Sequence, residues 1–221
     1  MTSSNPLVIV AVILAISAIP LLLMLGSSFL KSYIVLSVLK GSFGSTPIPP
    51  APLVFAIAML FSVVIMRPVL VDVVRAGSPT LREWLQPTSK PSSDLERMLQ
   101  LARRVELPYR LFLAKHTHTN DLVLLSRLQD PKAVVPATAK EAPIWVLLPA
   151  FVLSELTEAF VFALLIVLPF LVLDLLVAHL LTAVGTTGLN PTWVSLPFKL
   201  LLFVAVDGWS LLTRGLFLSY R

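Results

Sequence analysis

Apolar residues fall in four blocks, at about residues 7–39, 52–71, 144–184 and 193–218, and a polar stretch separates the second from the third. The first block opens with LVIVAVILAISAIPLLLML (7–25), 19 residues, close to the length that spans a hydrocarbon core. Pro20 lies inside it and predicts a bend or break. The helix then continues to GSFGSTPIPPAP (41–52), where two glycines and four prolines predict an extended, hairpin-like connection. The second block, PLVFAIAMLFSVVIM (52–66), ends at Arg67-Pro68 after 15 residues, short for a perpendicular span. The third block is long enough for two half-helices or one long bent helix. It is joined to the fourth by VGTTGLNPTW (184–193), a hairpin tip by its glycines and Asn-Pro.

The intervening stretch differs in character. Residues 67–143 hold 12 of the 17 Lys and Arg and 8 of the 12 Asp and Glu. LREWLQ (81–86), SSDLERMLQLARRVELPYRLFLAKH (92–116) and TNDLVLLSRLQ (119–129) show helical spacing of apolar residues, with Ser93-Asp94 as a helix start. DPKAVVPATAKEAP (130–143) reads as a return linker. The expected organisation is all-α, in three parts. An N-terminal apolar hairpin occupies 1–71, a small water-exposed helical domain 72–143, and a C-terminal apolar hairpin 144–221. An LPF triplet occurs at 168–170 and 196–198, but the following aspartates stand at different distances, so it is weak evidence of a repeat.

Composition agrees with the blocks. Apolar residues are 57% of the chain and charged residues 13%, against roughly a quarter charged in soluble domains. The chain therefore reads as membrane-embedded or membrane-assembled. There is no cysteine, which excludes disulfides and thiolate metal sites. His116 and His118, two apart, are poorly spaced to share a helix face, so no metal is expected. No Lys or Arg precedes the first apolar run, and that segment is read as retained rather than as a cleaved signal. No Ser-His-Asp constellation or other catalytic spacing is present, so no enzyme activity, cofactor or nucleic-acid partner is expected.

The candidate chemistry lies in the charges of the last two blocks: Glu155, Glu158, Asp174, Lys199 and Asp207. An ionised side chain at the centre of a bilayer costs at least about 2.5 kcal/mol, so each needs protein, water or a counter-charge. Lys199 and Asp207, eight apart, stand about 12 Å apart along a helix and cannot pair with each other. Glu155 and Glu158 face similar directions, so one of them should meet a cation. Lys199 is the only Lys or Arg in these two blocks before Arg214. The pairing can be within a chain or between chains. Glu158 alternatively sits at a wet surface, and a second functional reading is a proton- or ion-coupled transporter working through these carboxylates, with Asp174 and His179 in a relay.

LPAFVLSELTEAF (148–160), LPFLVLDLLVA (168–178) and SLPFKLLLFVAVDGW (195–209) resemble the signature blocks of the FliP/SctR family, core export-apparatus proteins of type III secretion systems and flagella. SSFLKSYIVLSVLKGSFGSTPIPP (27–50) resembles the family's first hairpin and LPYRLFLAKHT (107–117) a segment of its soluble domain. The ending DGWSLLTRGLFLSYR and the short, basic-free N-terminus resemble the injectisome branch more than the flagellar one. The resemblance implies a pore-forming subunit of an export gate. It implies several copies, a pentamer, assembled with FliQ/SctS-like and FliR/SctT-like subunits in the bacterial inner membrane, around a path for unfolded proteins. The family's methionine loop aligns with Gly185, Thr186, Thr187, Gly188 and Leu189, so threonines and glycine stand where the family seals with methionine. Ala51 and Lys40 replace the family's asparagine and arginine near the first turn. The basic excess of 67–140 alone points that segment to the cytoplasm, whereas the resemblance places it in the periplasm. The charge rule governs loops under about 60 residues, so the resemblance is followed.

Overall fold

The computed structural model describes residues 17, 24–44, 49–84, 94–129, 136, 138–186 and 188–221. Among them the fold is all-α. The helices are α1 (Phe29–Ser42), α2 (Ala51–Trp84), α3 (Asp94–Lys115), α4 (Thr119–Gln129), α5 (Ile144–Ala183), α6 (Pro191–Ala205) and α7 (Gly208–Leu218). Residues 7–16 and 18–23 of the first block, Pro20 among them, and also Pro47 and Ser93 lie outside the described residues.

The prolines do less than their positions suggest. α2 does not end at Arg67-Pro68 but runs for 34 residues, with Pro68 and Pro79 inside it. The third apolar block is one 40-residue helix through Pro149 and Pro169. A proline removes one main-chain hydrogen bond, and inside a packed apolar bundle the freed groups are satisfied locally, so the helix continues. At 1.5 Å per residue α5 is about 60 Å long, twice the thickness of a hydrocarbon core.

The fourth block does break. α6 and α7 meet at 61°, across Val206 and Asp207, and Asp207 is left-handed at φ 51°. Gly208 follows because a Cβ there would lie 2.3 Å from the Phe203 ring. Helices 51–79 and 144–183 are each long and apolar enough to cross a membrane, and α6 with α7 makes a third candidate if the bent pair counts as one span.

Two apolar cores form along α5. The lower one joins Val146, Leu147 and Phe151 of α5 to Leu113 of α3, Leu122 of α4 and Met66 of α2. The stretch 94–129 is thus seated on the two long helices. The upper core joins Ala159, Ala163 and Phe170 of α5 to Val35 and Leu39 of α1, Ala58 of α2, Phe203 of α6 and Leu212 of α7. α1 lies between α2 and α5. The small residues Ala58, Ala159 and Ala163 let backbones approach, as in membrane helix pairs. The opposite faces stay apolar and open: Leu165, Leu180, Leu201 and Val204 are all more than 60% exposed. Apolar surface on this scale is covered by lipid or protein.

Gly215 is where α7 touches α5, and a Cβ there would lie 2.2 Å from Phe162 Cζ. Gly215→Ala is expected to destabilise the protein by about 1–3 kcal/mol through this overlap. Thermal unfolding in detergent measures it, and the same change should cost little in a Phe162→Leu background.

Candidate functional site

Two buried ionic joints bracket the upper core. The first lies at the seam with the lower core. Lys31 projects from α1 into the bundle, buried with its neighbour Ser32. Its ammonium lies 2.6 Å from Glu158 Oε2 and 3.3 Å from Glu155 Oε2. Glu155 is fully buried. Glu155 and Glu158, one turn apart on α5, therefore share a lysine that comes from the first hairpin. Tyr220 completes the joint: its hydroxyl donates to Glu155 Oε2, and its ring lies under the Lys31 ammonium at 4.2 Å from the centroid. Burial, then the negative charge of Glu155, pushes the Tyr220 phenol well above the usual tyrosine range, so it stays a donor. The His116 ring packs against Phe112 and Tyr220 at tilted angles, 51° and 60°. Burial first, and then Lys115 and Lys31, pushes its pKa down to about 4, so it is a neutral packing ring. His118 Nε2 lies 2.8 Å from Glu158 Oε1 and its Nδ1 3.6 Å from Asp121 Oδ2.

The second joint lies at the other end of the upper core. Ser195, Lys199 and Phe203 recur every four residues on the buried stripe of α6. Lys199 is 1% exposed, and its ammonium donates to Asp174 Oδ2 of α5 at 2.6 Å and to the carbonyl of Ser42 at 2.6 Å. Ser195 Oγ donates to the other oxygen of Asp174. Ser42 ends α1, where carbonyls lack helical partners and the helix dipole is negative, so a cation is well placed. One lysine thus ties three elements together: α1, α5 and α6.

Of the charges singled out in sequence, the structure brings Asp174 to Lys199 and Glu155 to Glu158. Asp207 stands apart, exposed at the α6–α7 break, with no ion pair among the described residues. Lys31, Tyr220 and His118 were not anticipated. Lys31 had a visible signal, a lone lysine in the apolar run FLKSYIVL. Tyr220 and His118 had none, since their contacts are 65 residues and 40 residues away in the chain.

The loop between α5 and α6 starts from Gly185 at φ +79°. Thr186 turns its main-chain N–H and its hydroxyl back onto Leu181 O, each at 3.0 Å. Asn190 caps α6 by accepting from Thr192 N–H at 3.0 Å, with Pro191 in the first turn. Gly188 and Leu189 are exposed, and Thr187 lies outside the described residues. The start of α6 also touches the first hairpin: a Cβ on Gly44 would lie 2.6 Å from Thr192 Cγ2. With the Lys199–Ser42 bond, this ties α6 to the end of α1.

Removing one partner of a buried ion pair strands the other. Lys31→Met is expected to cost about 3–5 kcal/mol, and Lys31→Met with Glu155→Leu less than the single change, in denaturant or thermal unfolding of the solubilised protein.

Residues 12–216 match the FliP family model. The chain is 38% identical over 216 residues to Pathogenicity-related ORF2 of Xanthomonas campestris pv. glycines, covering 96% of each chain. It is 36% identical over 218 residues to Hypersensitivity response secretion protein HrcR of Ralstonia nicotianae, covering 97% of this chain and 96% of the relative. It is 35% identical over 209 residues to Flagellar biosynthetic protein FliP of Treponema pallidum, covering 93% of this chain but 72% of that longer relative. With a family model spanning nearly its whole length and the buried ion pairs seated inside the matched region, the chain belongs to the FliP family.

Proposed function

We propose that the chain is a channel-forming subunit of a type III secretion export gate, passing unfolded proteins across the bacterial inner membrane. Its coarser assignment rests on family: it is a membrane protein and a secretion-apparatus component, with relatives named for secretion and pathogenicity as well as for flagellar biosynthesis. The observation that supports the channel reading is the seating of Gly185–Asn190. This loop caps an apolar hairpin, and its base is fixed to the first hairpin through Lys199, Asp174 and Ser42. A polar loop at the end of apolar helices belongs where a wet cavity meets it. The open apolar faces of α2, α5 and α6 fit a ring of several copies, a pentamer, with FliQ/SctS-like and FliR/SctT-like neighbours. In this reading 72–143 is the water-exposed, periplasmic part, and the two apolar hairpins are the membrane-assembled ones.

A transporter working through intramembrane carboxylates is less well supported. Between Glu158 and Asp174, about 24 Å along α5, residues 159–173 carry no titratable side chain to relay a proton.

Lys199→Ala is expected to abolish export, and Lys199→Arg to retain part of it, since arginine keeps the charge toward Asp174 but not the compact ammonium that reaches Ser42 O. Secretion of a reporter substrate measures both, and normal export by Lys199→Ala would sink the proposal. Replacing Thr186, Thr187 and Gly188 by methionine is expected to leave export intact and lower small-ion leak in planar bilayers. Equal conductance, together with bulky loop substitutions that leave export untouched, would place the loop outside the channel.

A further inference from the structure

The two apolar hairpins hold the carboxylates of Glu155, Glu158, Asp174 and Asp207. Lys31 meets both glutamates and Lys199 meets Asp174. Asp207 has no such partner among the described residues. It stands on an open apolar face, beside Val204, Val206, Trp209 and Leu211, all exposed. A carboxylate set in apolar surface is costly and normally faces protein, water or a counter-charge.

Lys40 is the complementary case. It lines a cavity of about 320 Å³ between the end of α1 and the start of α2, with Tyr33, Ser37 and Val54 among the walls. Ring contacts with Phe29 and Phe55 hold Tyr33 in place. Among the described residues no side chain pairs with the Lys40 ammonium or bonds to the Tyr33 and Ser37 hydroxyls. An ammonium and two hydroxyls around one cavity suit a carboxylate, which only accepts hydrogen bonds.

Trp209, two residues after Asp207, lines the same apolar cavity as Lys40, Val54 and Ile57. Asp207 and Lys40 therefore lie at one level of the bundle, yet they form no ion pair within the chain. Arg214 is about 10 Å from that level along α7, and Arg67 about 15 Å from Ile57 along α2. In a closed ring the copies keep their level, and a contact between two unlike faces repeats around it. We propose that Asp207 of one copy enters the Lys40 cavity of the next, so that each seam is closed by an ion pair that no single chain contains. The inference rests on the ring of copies proposed above.

The chain has no cysteine, so introduced thiols are unique. Two differently tagged chains, one Lys40→Cys and the other Asp207→Cys, are expressed together. The assembled, detergent-solubilised complex is treated with a short bifunctional thiol reagent. A linked dimer carrying both tags is expected, with little linkage between two chains of the same kind. Native mass spectrometry of the untreated sample counts the copies. Several copies without the mixed link would overturn the inference and leave the ring standing. Single copies would overturn the ring and the inference with it. A chain carrying both cysteines that links only within itself would also overturn the inference. Uncharged variants give a second readout. Asparagine tolerates the left-handed backbone at this position. Asp207→Asn and Lys40→Met should each lower the share of multimer about threefold, and the double change no further. Fully additive losses would show that the two residues act apart.

Discussion

A lysine ammonium inside an apolar bundle is tolerable only where carboxylates and carbonyls meet it, and this constraint sets the arrangement of the helices. Lys31 and Lys199 are both buried. Each must find acceptors on another element, because an unpaired charge at that depth costs several kcal/mol. The acceptors are far apart in sequence: Glu155 and Glu158 for Lys31, Asp174 and the end of α1 for Lys199. Apolar packing alone is permissive about how helices rotate and slide. Two ionic joints about 24 Å apart along α5 are not, and together they fix the register of α1 and α6 against α5.

The hairpin break at Asp207 follows from the same geometry. α6 must bring Ser195 and Lys199 to Asp174, whereas α7 must bury Leu212 and Leu216 against the upper core and deliver Tyr220 to Glu155. One straight helix does not serve both joints, and the left-handed residue before Gly208 provides the 61° change of direction. The prolines of α2 and α5, by contrast, are absorbed within continuous helices.

What lies outside the joints is open apolar surface on α2, α5 and α6. The apolar hairpins therefore keep Lys31, Glu155 and Lys199 inside, where they tie the helices together, and present hydrocarbon outward, where lipid or protein covers it. That inversion of the soluble pattern suits a protein of the FliP family, whose partners are also membrane proteins under the function proposed.

The sequence by itself determined the all-α class, the four apolar blocks, the helices in the polar stretch and, through the blocks around Glu155, Asp174 and Lys199, the family. These are local matters of period, composition and motif, and they are written in consecutive residues. Isolation in an apolar run also marked Glu155, Asp174 and Lys199 as residues needing partners. Tertiary structure alone decided which partners. Lys31 rather than Lys199 faces the glutamates, Lys199 closes on Asp174 and the end of α1, and Tyr220 and His118 enter a joint that no spacing announces. It also decided that Pro68 and Pro169 lie within helices while Asp207 ends one. The physical reason is the same in each case. A charge or a proline specifies what must be satisfied, but which group satisfies it depends on packing between elements that lie from 25 to 157 residues apart in the chain.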